Sequence, residues 1–454
     1  MPSEVEELRE LVHQLQAEVA RLRADNEALR QENAALKARV AELEGRAGGG
    51  EAPAWAKARN RKARRRKPGA QPGHPAHTRK ADPPEETRDA TAACCPRCAG
   101  PLGDPLETRD RVVEELVPAR VKVTLWRVHR YRCPRCARRV EAPVPGVLPG
   151  QRFGLALMLL VAYLRTLGMS WGRLRAFLRE AFGARVCHGA LVRMQGTVAK
   201  ALGPLYAGFL EEVKRAAAVH ADDSGWRVDG DNHWLWILLC KHAAYFTVQP
   251  TRSRAVIEAH LGPDFEGTVV TDFYPSFKHL PYAQQKCLVH LLREIHRFEQ
   301  RKAFEATPAW RAVRRRTRGL VTEARNGAER LRDDPEARGD LRARLEARAR
   351  ALGAETWDDP WAAKVAKLVG DYADRLFVFL TDDGVAWENN AAERGLRPMV
   401  VNRKISFGSR SPEGAHERCV LQSVAETARL RGTSFLDMAR GHIPGAAGPP
   451  MPAT

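Results

Sequence analysis

Leucine recurs at Leu8, Leu15, Leu22, Leu29, Leu36 and Leu43, a seven-residue period. With these at position d, position a reads Val5, Val12, Val19, Asn26, Asn33 and Val40. β-Branched residues at a with leucine at d favour two parallel strands, and asparagine at a fixes register. The flanking pairs Glu18/Arg23, Asp25/Arg30, Glu32/Lys37 and Arg39/Glu44 are opposite in sign. Residues 1–47 are therefore predicted to form a leucine zipper that pairs two copies of the chain, ending at Gly48-Gly49-Gly50.

Farther on the period changes. Phe153 to Thr166 reads as a buried helix, Ser170 caps a second over Trp171 to Phe182, and Gly183 closes it. A third starts at His188. The tight glycine turn predicts a helix-turn-helix-like DNA-binding module over 149–215, with Arg193 and Gln195 on the later helix. From Val219 to Val228, His233 to Leu239 and Ala244 to Val248 the pattern is that of three antiparallel strands. A helix over Ser253 to Leu261 follows, then a buried strand from Gly267 that ends on Asp272. This is the opening order of an α/β ribonuclease-H-like fold, which sets the middle of the first strand beside the end of the fourth. Asp222 and Asp272 are then expected to meet.

Charge sharpens the picture. The chain has 454 residues, 74 lysine plus arginine against 55 aspartate plus glutamate, and a formal charge of +19. Such a surplus points to a polyanionic partner, nucleic acid ahead of anionic membrane. From Lys57 to Lys80 the basic residues, Arg64, Arg65, Arg66 and Lys67 among them, meet no acid and are interrupted by proline and glycine. Residues 48–90 are read as a flexible arm that binds phosphate without regard to sequence. The start, Met1-Pro2-Ser3-Glu4, lacks the pattern of a signal peptide. The longest near-apolar run, Phe153 to Leu164, is too short to span about 30 Å of hydrocarbon. The expected place is the cytoplasm, at the nucleoid, with no membrane partner.

Cys95-Pro96-Arg97-Cys98 and Cys133-Pro134-Arg135-Cys136 are two knuckles of the kind that grip one tetrahedral zinc. Cys94 is an alternative to Cys95, but the repeated Cys-Pro-Arg-Cys favours Cys95. Four cysteines leave no open position, so the zinc of this module (91–148) is structural. The alternation Val121, Val123, Leu125 suggests two strands between the knuckles. Cys187, Cys240, Cys287 and Cys419 are expected in cores.

Adjacent carboxylates repel unless a cation joins them. All-oxygen ligands suit two magnesium or manganese ions, which activate water or a 3′-hydroxyl against a phosphodiester. Glu388-Asn389-Asn390-Ala391-Ala392-Glu393-Arg394-Gly395-Leu396-Arg397 supplies a third acid. On a helix Asn390, Glu393 and Arg397 share a face. Glu393 then holds metal, Asn390 orients it and Arg397 holds a DNA phosphate; Arg403 and Lys404 follow.

The chain resembles the DDE transposases of the bacterial insertion-sequence family numbered sixty-six. The resemblance rests on Lys67-Pro68-Gly69-Ala70-Gln71-Pro72-Gly73-His74, the four cysteines, His220-Ala221-Asp222-Asp223-Ser224, Thr271-Asp272-Phe273-Tyr274, Cys287-Leu288-Val289-His290 and Asn389-Asn390-Ala391-Ala392-Glu393-Arg394-Gly395-Leu396-Arg397-Pro398. It covers nearly the whole chain. It implies that Asp222, Asp272 and Glu393 are the catalytic triad, that His290 contacts the substrate phosphate, and that Asp223 supports the site. Asp223 and Ser224 stand where the family usually has glutamate and threonine. The stretch from Arg403 to Ser409 is shorter than the commonest family form. The implied activity is cutting at element ends and joining to target DNA, with small accessory proteins as possible partners. The catalytic core is expected over 216–298 and 384–430, a DNA-gathering helical insertion over 299–383, and a disordered tail over 441–454. Two alternatives are a zinc-containing DNA-binding regulator without activity and a structure-selective nuclease that never joins strands.

Overall fold

The structure, a computed structural model, describes residues 119–301 and 304–443, with 27, 31, 84–90, 93, 94, 96–102, 104, 109–111 and 113. The rest of the zipper, the basic run with Arg64, Arg65, Arg66 and Lys67, Cys95, and the tail beyond Ile443 lie outside the described residues. The chain divides into two compact units, Met1–Glu114 and Glu115–Thr454.

In the first unit, Cys98 closes a turn and Ala99 takes a positive φ of 57°. In the second, Cys133 and Cys136 form a similar turn between strands β1 (Arg130–Arg132) and β2 (Arg139–Glu141), which pair antiparallel. Ala137 there also has φ 57°. The alanine that follows Cys-Pro-Arg-Cys is thus left-handed in both places. The strands predicted around Val121 to Leu125 do not form. Val123 is 91% exposed and Leu125 84%. Alternation gives a strand only where a neighbour completes the ladder, and the Val121 N–H instead donates to the Phe182 carbonyl at 3.1 Å.

Helices α1 (Leu155–Thr166), α2 (Trp171–Phe182), α3 (His188–Ala201) and α4 (Gly203–Lys214) follow. Ser170 Oγ accepts from the Arg173 N–H at 3.3 Å, and Gly183 ends α2 at φ 65°, as the sequence requires. The sheet comes next: β3 (Ala218–Val228), β4 (Asp231–Leu239), β5 (Ala244–Gln249), then α5 (Ala255–Leu261), β6 (Thr268–Thr271) and β7 (Ala283–Lys286). The strand order is β5-β4-β3-β6-β7. The first three strands run antiparallel, and β6 and β7 run parallel to β3.

Helix α6 (Leu288–Glu299) leads into α7 (Pro308–Arg330), α8 (Pro335–Ala354) and α9 (Pro360–Asp371), which close their own core around Trp310, Leu320, Leu345 and Val365. Helix α10 (Asn390–Ser406) returns to the sheet, followed by α11 (Pro412–Leu430) and α12 (Phe435–His442). Edge strands invite unwanted pairing unless covered. Helix α11 covers β5 with hydroxyls: Thr427 Oγ1 accepts from the Ala244 N–H at 3.0 Å and Ser423 Oγ from the Phe246 N–H at 2.9 Å. Cys240, Cys287 and Cys419 are buried as expected, but Cys187 is exposed, because it stands at the N-terminus of α3.

Candidate active site

Parallel pairing of β3 with β6 aligns His220 with Val270. Two residues on from each lie Asp222 and Asp272, so the register sets the two acids side by side, Asp222 in the middle of β3 and Asp272 directly after the end of β6. Asp222 Oδ1 accepts from the Asp223 N–H at 2.8 Å, and Asp272 Oδ1 from the Tyr274 N–H at 2.9 Å. Burial pushes the Asp222 carboxyl up to about 7. The Asp223 N–H pulls the other way, while the carboxylates of Asp272, Asp223 and Glu393 add to the rise. The three acids that the sequence singles out therefore share one electrostatic environment.

Glu393 comes from the first turn of α10. What docks this turn is Asn389, fully buried at 0% exposure. Its Nδ2 donates to the Ala221 carbonyl at 2.9 Å, its Oδ1 lies 2.9 Å from His220 Nδ1, and its backbone N–H donates to Cys287 Sγ at 3.1 Å. One side chain thus ties α10 to β3. Asn390, expected to orient the metal, instead donates to Glu388. Arg397 is exposed on the same helix.

Arg293, which sequence reading missed, grips Glu393: Nη1 donates to Oε1 at 2.6 Å and Nη2 to Oε2 at 3.3 Å. His290, one turn earlier on α6, sets Nε2 3.3 Å from Glu393 Oε1. Burial holds the His290 imidazole below its usual range, against the pull of Asp272 and Glu393. The signal for Arg293 was its spacing from His290, three residues on an amphipathic helix.

Asp223 points to the other face of β3, where its side chain is 1% exposed. Oδ1 accepts from Arg252 Nε at 2.6 Å, and Oδ2 is buried without a partner among the described residues. The Arg252 guanidinium lies 3.3 Å from the Tyr274 ring centroid. Lys286, with 0% exposure, donates to Thr271 Oγ1 at 2.8 Å and to the Asp272 carbonyl at 3.1 Å. Burial pulls its ammonium down to about 7. It pins the strand end that carries Asp272. Neither Arg252 nor Lys286 belongs to a pattern that a sequence displays.

The donor set of Asp222, Asp272 and Glu393 is all oxygen, which suits a hard dication, and such an ion would favour the charged form of Asp222 that burial disfavours. Among the described residues no three acids, imidazoles or thiols are arranged to grip one ion as they stand; Glu393 is turned to Arg293 and His290. In the knuckle of the second unit, the Cys133 thiol is held below its usual range, first by the Cys136 N–H and then by that of Arg135, as a thiolate ligand requires.

The residues assigned to DNA divide. Arg193 and Lys404 are exposed. Gln195 is 3% exposed, with its Oε1 3.4 Å from Arg165 Nε and its Nε2 2.8 Å from Glu417 Oε2, so it reads no base. Arg403 Nη1 donates to Ser224 Oγ at 3.1 Å and to the Gly225 carbonyl, holding α10 against β3.

A family model described as "Transposase IS66 family" matches residues 151–417, and one described as "zinc-finger binding domain of transposase IS66" matches residues 92–137. The first spans more than half of the chain, and the chain belongs to the IS66 family of transposases. Two relatives from Sinorhizobium fredii are similar along most of it. One, the uncharacterized protein y4jD, is 25% identical over 79% of this chain and 75% of its own length. The other, the uncharacterized protein y4qI, is 23% identical over 71% of this chain and 65% of its own. Among the described residues no helix is long and apolar enough to cross a membrane.

Proposed function

We propose that the chain is a DDE-type DNA transposase, with a ribonuclease-H-like core, that cuts at the ends of a mobile element and joins them to target DNA. The observation that carries this reading is the alignment of Asp222 with Asp272 on neighbouring parallel strands, with Glu393 in the same field. The strand order, three antiparallel strands and then two parallel to the first, supports the fold.

Asp222, Asp272 and Glu393 would hold two magnesium or manganese ions. Those ions, when bound, supply the charge that activates a water or a 3′-hydroxyl and stabilises the leaving oxygen. The chain's own residues set the stage. Asn389 fixes the start of α10 and Lys286 fixes the end of β6, while Arg293 with His290 holds Glu393 until a dication displaces them. Asp223 holds the Arg252 guanidinium on the other face of β3, against the Tyr274 ring. Cys95, Cys98, Cys133 and Cys136 would hold one structural zinc, a reading that the zinc-finger match over residues 92–137 supports. The zipper joins two chains so that two element ends are handled together, and the basic arm, Arg193, Arg397 and Lys404 contact phosphates.

The test compares wild type with Asp272→Asn on DNA carrying the element's ends. The variant is expected to bind ends as wild type does and to lose cutting with magnesium. A variant that still cuts overturns the assignment. A wild type that cuts but never joins pre-cut ends is a nuclease, and one that binds without cutting is a regulator.

A further inference from the structure

Helix α7 buries Trp310, Val313, Thr317, Leu320, Val321, Ala324 and Gly327. Its opposite face carries Arg311, Arg315, Arg318, Thr322 and Arg325, all exposed. The spacing alternates four and three residues, so these side chains form one row along the helix. At roughly 1.5 Å per residue the row is about 20 Å long.

Most other arginines of these helices are neutralised. Arg316 pairs with Glu355 at 2.5 Å, Arg348 with Glu323 at 2.5 Å, and Arg314 with Glu299 at 2.7 Å. Arg311, Arg315 and Arg318 have no ion pair or hydrogen bond among the described residues. A row of unpaired like charges on one helix face opposes folding, and a polyanion relieves it. Gly319, on the flank of the row, has nothing within 4 Å of where a Cβ would stand, so backbone there is open to close approach.

The row also has a direction. At its far end the Arg325 guanidinium lies 4.3 Å from the centroid of the Trp387 ring. The Trp387 carbonyl accepts from the Leu288 N–H at 3.0 Å. Trp387 therefore ties the start of α6, which carries His290 and Arg293, to the segment leading into Glu393.

We infer that the exposed row Arg311, Arg315, Arg318 and Arg325 is a track for the phosphate backbone of duplex DNA, leading to the carboxylates of the candidate active site. The inference rests on the proposed function and adds the surface by which DNA reaches the site. The contacts are to phosphate and carry no base preference.

The test uses the full chain without magnesium and a labelled short duplex of random sequence, with binding measured across a range of potassium chloride. One variant carries Arg311→Gln, Arg315→Gln and Arg318→Gln. A comparator, Arg316→Gln, Arg344→Gln and Arg348→Gln, removes equal charge elsewhere on α7 and α8. Thermal melts check that both variants fold. Each lost phosphate contact lowers the slope of log affinity against log salt by about 0.9, so the row variant should lose roughly two to three units. The comparator should lose less than one. An unchanged slope in the row variant, or equal losses in both variants, overturns the inference. If the row variant keeps the wild-type slope and wild type still cuts ends, the inference fails and the proposed function stands. A wild type without affinity for DNA overturns both.

Discussion

Arg293 holds Glu393 across a hundred positions of chain, through two hydrogen bonds of 2.6 and 3.3 Å. The arginine side chain is 52% exposed, so water screens the pair. Arg293 occupies the oxygens that a dication would need. Arg293→Gln should therefore raise manganese affinity in the absence of DNA. The gain is modest, since exposed pairs are worth about 0.2 to 1 kcal/mol, or up to roughly fivefold in affinity. Calorimetric titration with manganese checks this; weaker binding would mean that Arg293 helps to build the metal site.

Asp222 sets a pH dependence. Its carboxyl lies at about 7 in the fold against an ordinary 3.8. Between those values the folded chain keeps a proton that the unfolded chain has released, so stability is lost as pH rises through that window and is flat above it. Asp222→Asn should remove the slope and, without divalent ions, melt higher than wild type above neutral pH. Melting curves from about pH 5 to about 8 decide it. Parallel curves for the two proteins would show that Asp222 ionises as an ordinary carboxylate.

Lys286 has the opposite sign. Its ammonium is pulled down to about 7 from 10.5. Between those values the unfolded chain holds a proton that the folded chain has shed, so this contribution grows as pH rises and is lost as pH falls toward neutrality. Lys286→Met, of similar length, should flatten the alkaline side of the stability profile. It should also slow cutting more than it weakens end binding, because Asp272 loses its anchor. Equal loss of both would point to a general folding defect.

Asn389→Ala leaves the Ala221 carbonyl and the His220 ring without their partner. Each buried polar group left unpaired costs about 1 to 3 kcal/mol. Urea unfolding should show at least a loss of that size, and Asn389→Asp should not restore stability, because an acceptor oxygen then faces the Ala221 carbonyl at a fully buried position. No change in midpoint would show that packing alone seats α10.

How much of this was legible beforehand follows from what a sequence displays. The apolar run of α1 and the Ser170 cap and Gly183 that bound α2 are legible, because those signals act within a few residues. The approach of Asp222 to Asp272 was legible through topology: once three antiparallel strands and a helix precede a fourth strand, its place beside the first is set. Asn389 and Arg293 were harder, since each acts on a partner brought in by tertiary packing. The pair Asn389-Asn390 was visible and the helix begins at Asn390, as the shared-face argument assumes, but Asn390 donates to Glu388 and it is Asn389 that is buried. Gln195 shows the reverse error: a polar residue on a helix otherwise fit for DNA is spent on Arg165 and Glu417. Arg252 and Lys286 lie in no repeating pattern, and only packing reveals them.

The central claim, that Asp222, Asp272 and Glu393 share divalent ions, is tested most directly by anomalous scattering from manganese in crystals of the chain bound to end DNA. Manganese peaks between the three carboxylates, with Glu393 turned away from Arg293, are the expected result. Manganese found only elsewhere, with Glu393 still on Arg293 and DNA in place, would contradict it.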